Sequence, residues 1–490
     1  MHSTLRAFMD GVLQRRFHWL VALWLLQCFA YFTPAATWNP VSRFALTHAL
    51  VERGGVAIDP LASATGDRAH RNGHWYTDKA PLPSLMAVPG YAAVRGLHVL
   101  LDRPAPAYEV RAGGTVPAAR LAPSHTFQRL LHVSSVTTSG LAGVALALLL
   151  LRWLGRRYGP RCALVATGAT MLATPLFPYA SSMFGHVPAA AFLLGAVVAL
   201  DRHGRTPRGL RWAGACTAAA AGCEYLTAVP GLFLLAWGVA DRDVRMAVRR
   251  TGQVVIGAAA PSVIVAGYLW VAFGKPWRTG YAHVTDPTFV QGHAQGLMGI
   301  GWPDPEALVG LLVGPSRGLL YLAPVAALGL LGLAKVLRRE DAGPTRAFAL
   351  GALALLLVNS GYYMWWGGAA TGPRHLVPVL PLLALGLAEW WQQPRLRWVF
   401  VPVALWSAAT MLTFTAVGLE APEHRETLFG YAWHHAAHGR FAALRGASNL
   451  GIMIGLPAAA SLGPLLVWWL LGGRALWRLA GALDGDEAPD

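Results

Sequence analysis

The chain has 490 residues, of which 55% are hydrophobic and only 13% charged, about half the charged share of a typical soluble domain. Stretches such as 130–151, 347–358 and 399–412 stay apolar for most of a bilayer's thickness, which a helix crosses in about 20 residues. Intrinsic disorder, a disulfide scaffold and a soluble enzyme are excluded. The fold class is an all-α polytopic membrane protein of about 10–12 transmembrane helices.

The net charge of +16 does not point to nucleic acid. The basic residues sit mostly in short loops between apolar spans, and only three are lysine: Lys79, Lys275 and Lys335. That placement is a topology signal, so no nucleic-acid partner is expected. Cys28, Cys162, Cys216 and Cys223 fall in or beside apolar spans without metal-ligand spacing and read as small core residues.

In chain order, the first segment carries Arg6, Arg15 and Arg16 before a span at 17–34 that lacks a small-residue cleavage site, so it reads as an uncleaved anchor. Further spans are expected at 130–154, 162–180, 181–200, 251–273, 318–336, 347–363, 376–392, 398–418 and 452–472. The stretch 212–240 has basic flanks on both sides, which demands an even number of crossings. It reads as a hairpin of two short helices broken near Pro230-Gly231. The segment 83–101, with Pro89, Gly90, Arg95 and His98, decides the orientation. If it lies along the interface, the loops 152–161, 201–211, 241–250, 335–346, 393–398 and 474–478 hold 20 Arg and Lys, whereas 274–317, 362–375 and 419–450 hold seven. Only the interfacial reading obeys the positive-inside rule.

With that orientation both termini are expected to be cytoplasmic and the polar mass non-cytoplasmic. Residues 1–480 read as a single transmembrane domain with a first non-cytoplasmic loop at 35–129 and others at 274–317, 362–375 and 419–450. The remainder, 481–490, is a short cytoplasmic tail, acidic and read as disordered. Loops that are large on one face favour an extracytoplasmic enzyme over a carrier, whose site is usually at the midplane between internal repeats. No internal repeat is evident.

The first loop carries the most chemistry. Phe44, Leu46, Ala49, Leu50 and Val51 have helical spacing, with Arg43, Thr47, His48, Glu52 and Arg53 between them, and predict a short amphipathic helix on the membrane surface, stopped by Gly54-Gly55. Asp59, Asp67, Arg68, His74, Asp78 and Lys79 follow in turn-rich sequence, just before the interfacial segment. In the order first span, Ser-Arg-Phe helix, glycine, Asp-Lys-Ala-Pro and interfacial helix, the chain resembles the GT-C membrane glycosyltransferases, in particular bacterial relatives of protein O-mannosyltransferases and of the lipid A aminoarabinose transferase. GRRYGPR (155–161), TPLFPYASSMFGH (174–186), FGKPWRTGY (273–281), GPSRGLLYLAPV (314–325) and WWGGAATGPRHLVPVLP (365–381) fit the same type.

The resemblance implies transfer of a sugar from a polyprenyl-phosphate donor to a lipid, glycan or protein acceptor at the periplasmic face of the bacterial inner membrane. It implies a first-loop acid as base, with inversion, and basic residues on the leaving phosphate. The family's Asp-Glu pair before the Arg-Tyr helix is missing; that place reads Asn39-Pro40-Val41-Ser42. Asp59, which follows an apolar run, is the first substitute, with Asp67 and Asp78 next. Lys79 and Arg374, with adjacent His375, are the phosphate candidates, since the arginine fork suits phosphate and Gly367, Gly368 and Gly372 admit close backbone approach. A snorkelling interfacial arginine is the plain alternative for Arg374. Arg43 is either a third contact or a helix-surface residue, and Arg317 is placed similarly.

His186 lies where the family often has an acid that helps organise the site; a hydrogen-bonded histidine is the alternative. Glu224, costly within an apolar stretch unless paired or wet, is either part of the site or half of a structural salt bridge. The run His434-His435-x-x-His438 puts two rings on one helix face but lacks a third ligand, so no metal is assigned. No other cofactor is implied: phosphate-binding glycine loops and a nucleophile elbow are absent. Three other functions compete with a transferase. A lipid-linked glycan flippase would need charges spread through the bundle interior. A polytopic glycan polymerase or ligase leaves the Asp-Lys-Ala-Pro order unexplained. A glycolipid-binding relative without turnover would be favoured by an Asp59 that points away from Lys79 and Arg374.

Overall fold

A computed structural model describes residues 2–111, 120–419, 427–441 and 447–485. It is a helical bundle, and its β-structure is three short two-stranded ladders among the described residues. Helix α1, His2–Ala30, leads into a two-residue strand, β1, Phe32–Thr33. Helix α2, Trp38–Arg53, ends where Gly54 adopts a left-handed φ of 63° and its N–H bonds to Ala49 O, as the sequence predicts. It is not a surface helix, however. Asn39 through Ala49 are all buried, because α2 is packed against α3, Leu82–Leu100, and against the long helix that follows.

Between α2 and α3 lies a hairpin of β2, Arg68–Arg71, and β3, His74–Thr77. Its two-residue turn is Asn72-Gly73, with φ of 50° and 82°, the pair favoured where both central residues need positive φ. A second hairpin pairs β4, Tyr108–Arg111, with β5, Arg120–Pro123. The tie between chain ends is β1 with β6, Ser448–Asn449.

Helix α4 runs unbroken as His125–Tyr158, with a π-bulge at Val136–Gly140 where α1 and α3 pack against it. After Gly159, α5 spans Pro160–Leu172. The expected spans 162–180 and 181–200 are divided differently: Thr174-Pro175 stop α5, a short turn covers Leu176–Ala180, and α6 begins at His186 and runs to His203. The 212–240 hairpin is also present but breaks elsewhere. Helix α7, Pro207–Cys223, ends at extended Glu224, and α8 spans Ala228–Val239. Pro230 is in the first turn of α8, where its missing N–H costs nothing, so it does not break the helix.

Helix α9, Val244–Phe273, is apolar, yet Val255, Ile256, Val263, Ile264, Trp270 and Val271 on it are exposed. Such a surface suits lipid rather than water. Then come α10, Val325–Val336, α11, Gly343–Ser360, α12, Leu383–Trp391, α13, Arg397–Val417, α14, Leu428–Ala437, and α15, Gly463–Asp484. Among the described residues four helical stretches are long and apolar enough to cross a membrane: His125–Tyr158, Val244–Phe273, Pro394–Val417 and Ala458–Asp484. Shorter apolar helices are Tyr225–Val239 and Val325–Val336. This is the all-α polytopic membrane fold expected from composition. Backbones of α10 and α12 meet at Gly329, Gly332 and Gly386, where a Cβ on either side would strike the partner's main chain.

The chain closes on itself through α1 and α15. Trp24 Nε1 donates to Trp468 O and Trp468 Nε1 to Trp24 O, both at 3.2 Å. The start of the expected tail is helical, since α15 continues to Asp484; 486–490 lie outside the described residues. The four cysteines are free, and three of them are buried.

Candidate active site

The β2–β3 hairpin determines which acids meet. Its register pairs Arg71 with His74 and Arg68 with Thr77, so the next rung outward is Asp67 opposite Asp78. Ser42 of α2 secures that end, its Oγ donating to Asp67 O at 2.5 Å and lying 2.6 Å from Thr77 Oγ1. Lys79 then folds back between the carboxylates, its Nζ 3.2 Å from Asp67 Oδ2 and 3.1 Å from Asp78 Oδ2. Asp67 and Asp78 are both buried, and Asp78 Oδ1 has no hydrogen-bond partner among the described residues.

Burial pushes the Asp78 carboxyl up to about 6; Lys79 opposes this and the Asp67 charge adds to it. Lys79 is itself held above its ordinary value. Burial works against its charge, and Asp67 and Asp78 overcome that, with Arg374 close enough to oppose them. An ammonium has three donors. Two are directed at the acids, which leaves a third.

These groups form one wall of a cavity of about 650 Å³, large enough for a small ligand. Arg374 and His375 form another part. The loop before them turns through Gly367, Gly368 and Gly372 at φ of 78°, 71° and 64°, a conformation that glycine alone adopts without cost. Buried Arg317 braces this loop, donating to Trp366 O and Gly368 O at 3.1 Å each. Arg317 is therefore structural. His375 Nδ1 lies 2.6 Å from Asn359 Oδ1, and Arg374 Nε is 3.4 Å from His375 Nε2. Among the described residues Arg374 makes no ion pair with a carboxylate, unlike Lys79.

The break between α7 and α8 brings in Glu224. Its Oε1 accepts from Arg43 Nη2 at 2.5 Å, and the ring of His186, at the start of α6, is 3.6 Å away. Arg43 is 1% exposed and also donates to Asn39 Oδ1 and Ala80 O. It lies behind the cavity wall, with its nitrogens committed to the protein, rather than at a phosphate position.

Of the residues expected from sequence, Asp67, Asp78, Lys79, His186, Glu224, Arg374 and His375 line the cavity. Asp59 does not. Its carboxylate accepts from Trp75 N at 2.7 Å and meets His74 Nδ1 at 2.8 Å, fastening the hairpin's outer side. Asp59, expected as the first substitute for the missing acid, therefore does not share the cavity of Lys79 and Arg374, whereas Asp67 and Asp78 do.

Asn39 lines the cavity too. Sequence reasoning missed Tyr225, Tyr281, His293, Tyr362 and Tyr363. Their rings follow one another along the wall, with Tyr281 stacked on His293 at 4.7 Å and Tyr362 on edge to Tyr363 at 4.7 Å. Tyr281 ends the quoted FGKPWRTGY motif and Tyr362-Tyr363 precede the WWGG motif by one residue, Met364, which was the available signal. Asp286 also faces the cavity, but its carboxylate caps a short helix through Thr288 N and Phe289 N. Among the described residues no group of three His, Cys, Asp or Glu side chains is arranged to hold a metal, the His434–His438 run included.

No protein-family model matches the sequence, and no curated protein matches it. Among solved structures the chain is similar to ArnT from Cupriavidus metallidurans in the apo state, at 13% identity and a TM-score of 0.48 over 99% of this chain and 78% of that one. It is also similar to the same protein bound to undecaprenyl phosphate, at 19% identity and a TM-score of 0.49 over 96% and 77% of the two chains.

Proposed function

We propose that the chain is an inverting membrane glycosyltransferase that moves a sugar from a polyprenyl-phosphate donor to an acceptor hydroxyl, with Asp78 as base. The observation that carries this reading is the Asp67–Lys79–Asp78 cluster facing Arg374 across one cavity. The acceptor oxygen attacks the anomeric carbon as the bond from that carbon to the phosphate oxygen breaks. The acceptor's proton passes to Asp78, whose unpartnered Oδ1 and raised pKa suit a base near neutrality. The third Lys79 donor and the Arg374 guanidinium take the charge that develops on the departing phosphate. Asp67 holds Lys79 in place.

The one-sided distribution of basic loops supports an inner-membrane protein with this cavity on the periplasmic face and both termini cytoplasmic. Sugar, acceptor hydroxyl and phosphate then meet where the lipid headgroup lies.

The test is transfer or hydrolysis of labelled polyprenyl-phosphate hexoses and pentoses by the purified full chain, with Asp78→Asn beside the wild type. Loss of turnover in the variant with donor binding retained supports the reading. Wild-type-like turnover by Asp78→Asn removes Asp78 as base. A second reading, glycolipid binding without turnover, is favoured by the place of Asp59, away from the cavity, and by Asn39 in the acid's position. Donor binding with no turnover of any donor tested would select it.

A further inference from the structure

A second cavity of about 660 Å³ lies between the first half of α1 and the last turns of α4. Arg15, Arg152 and Arg156 line it together with His18, Leu148 and Leu151. It is remote from the candidate active site. That site opens beyond the far end of α1, and the helix from Arg15 to Ala30 alone spans about 22 Å. The two cavities therefore belong to opposite ends of the bundle.

Among the described residues none of the three arginines has an ion-pair or hydrogen-bond partner, and none of those that line the groove is a carboxylate. Three like charges around one cavity repel each other, and an anion between them would remove that cost. His18 adds a polar atom in want of a partner. Its Nδ1 is 2.6 Å from Gln14 O, whereas Nε2 is buried and has no hydrogen-bond partner among the described residues. Beside the basic groups and Gln14 the lining is apolar, and on the next turn of α1 the exposed Leu23 continues the line of the exposed Trp19. A charged head with a hydrocarbon extension fits this combination; a free inorganic anion would leave the apolar wall unused.

We propose that this groove is a binding site for the headgroup of an anionic phospholipid of the phosphatidylglycerol class, with its acyl chains along α1 and α4. The arginines bind the phosphodiester, and His18 Nε2, when protonated by the approach of the anion, donates to it. The lipid would anchor the end of the bundle opposite the candidate site.

The test is native mass spectrometry of the detergent-purified full chain titrated with dioleoylphosphatidylglycerol or with dioleoylphosphatidylcholine. Preferential retention of phosphatidylglycerol, by about tenfold or more for a contact to charged groups, is expected. That preference should fall to near unity in Arg152→Gln/Arg156→Gln. Leu148→Trp, which fills the groove without changing charge, should lower retention as well and carries the test if the double variant does not fold. Equal retention of the two lipids, or a preference unchanged in both variants, overturns the proposal. So does displacement of the lipid by an equimolar amount of inorganic phosphate, which would make the groove a simple anion site.

Discussion

Arg43 Nη2 meets Glu224 Oε1 at 2.5 Å, joining the first-loop helix to the break between α7 and α8 across 181 residues of sequence. The arginine is wholly enclosed, and its remaining nitrogens serve Asn39 and Ala80. Removing one partner of a buried pair strands the other and costs about 3–5 kcal/mol. Arg43→Met is expected to lower stability by that order, whereas Arg43→Met/Glu224→Met recovers part of the loss. Chemical unfolding in detergent, followed by tryptophan fluorescence, is the measurement. An Arg43→Met protein as stable as the wild type would show that the pair is not what holds these elements together.

Donor binding should depend on Lys79 and Arg374 and not on Arg43's charge at the phosphate. A hydrogen bond to a charged group contributes about 1.5–3 kcal/mol. Arg374→Gln is therefore expected to weaken polyprenyl-phosphate binding about 10- to 100-fold. Lys79→Met should do the same and, in addition, leave Asp67 and Asp78 repelling each other. Titration calorimetry or a competition assay with short-chain polyprenyl phosphate distinguishes the two: only the lysine variant should also lose thermal stability.

The Asp78 carboxyl gives a pH signature. Its folded value of about 6 lies above its ordinary 3.8, so between those values the folded state holds more protons than the unfolded one. Stability therefore falls as pH rises from about 4 to about 6 through this group, the reverse of a salt-bridged surface acid. Activity runs the opposite way, since a base must be ionised; turnover should rise with pH with a midpoint near 6. The Asp78→Asn variant should show a flatter stability profile in this window. Denaturation midpoints measured at pH 4.5, 5.5 and 6.5 check the sign, and an unchanged slope in Asp78→Asn would refute the assignment.

Asp59→Asn should leave donor binding and turnover within about twofold of wild type, because its side chain is spent on Trp75 N and His74. Burial raises its carboxyl, but the Trp75 N–H and the His74 contact outweigh this and hold it below the ordinary value. Its modest contribution to stability is present above about pH 4 and is lost as pH falls through the lowered value. Exposed pairs contribute on the order of 1 kcal/mol or less. Kinetics of this variant beside Asp78→Asn separate the two acids: a turnover loss in Asp59→Asn equal to that in Asp78→Asn would reverse the site assignment.

Composition and charge placement alone determined the helical membrane class and the core role of the cysteines, because apolar run lengths and arginine-rich loops are one-dimensional signals; Lys79 and Arg374 were singled out by their motifs and by the family resemblance. The stop at Gly54 was equally local. The pairing of Asp67 with Asp78 was half-legible: counting outward from Asn72-Gly73 brings 67 opposite 78, but only if the turn is recognised as a hairpin. Asp59 could not be excluded in that way, since its partners, Trp75 N and His74, are supplied by the folded hairpin. Nor could Arg43 be separated from a phosphate ligand, or Glu224 from a lone buried acid, while the 180 residues between them had no path. Tertiary structure decided those roles. A side chain's charge is written in the sequence, but whether another part of the chain neutralises it depends on which helix ends the bundle brings within a few ångströms.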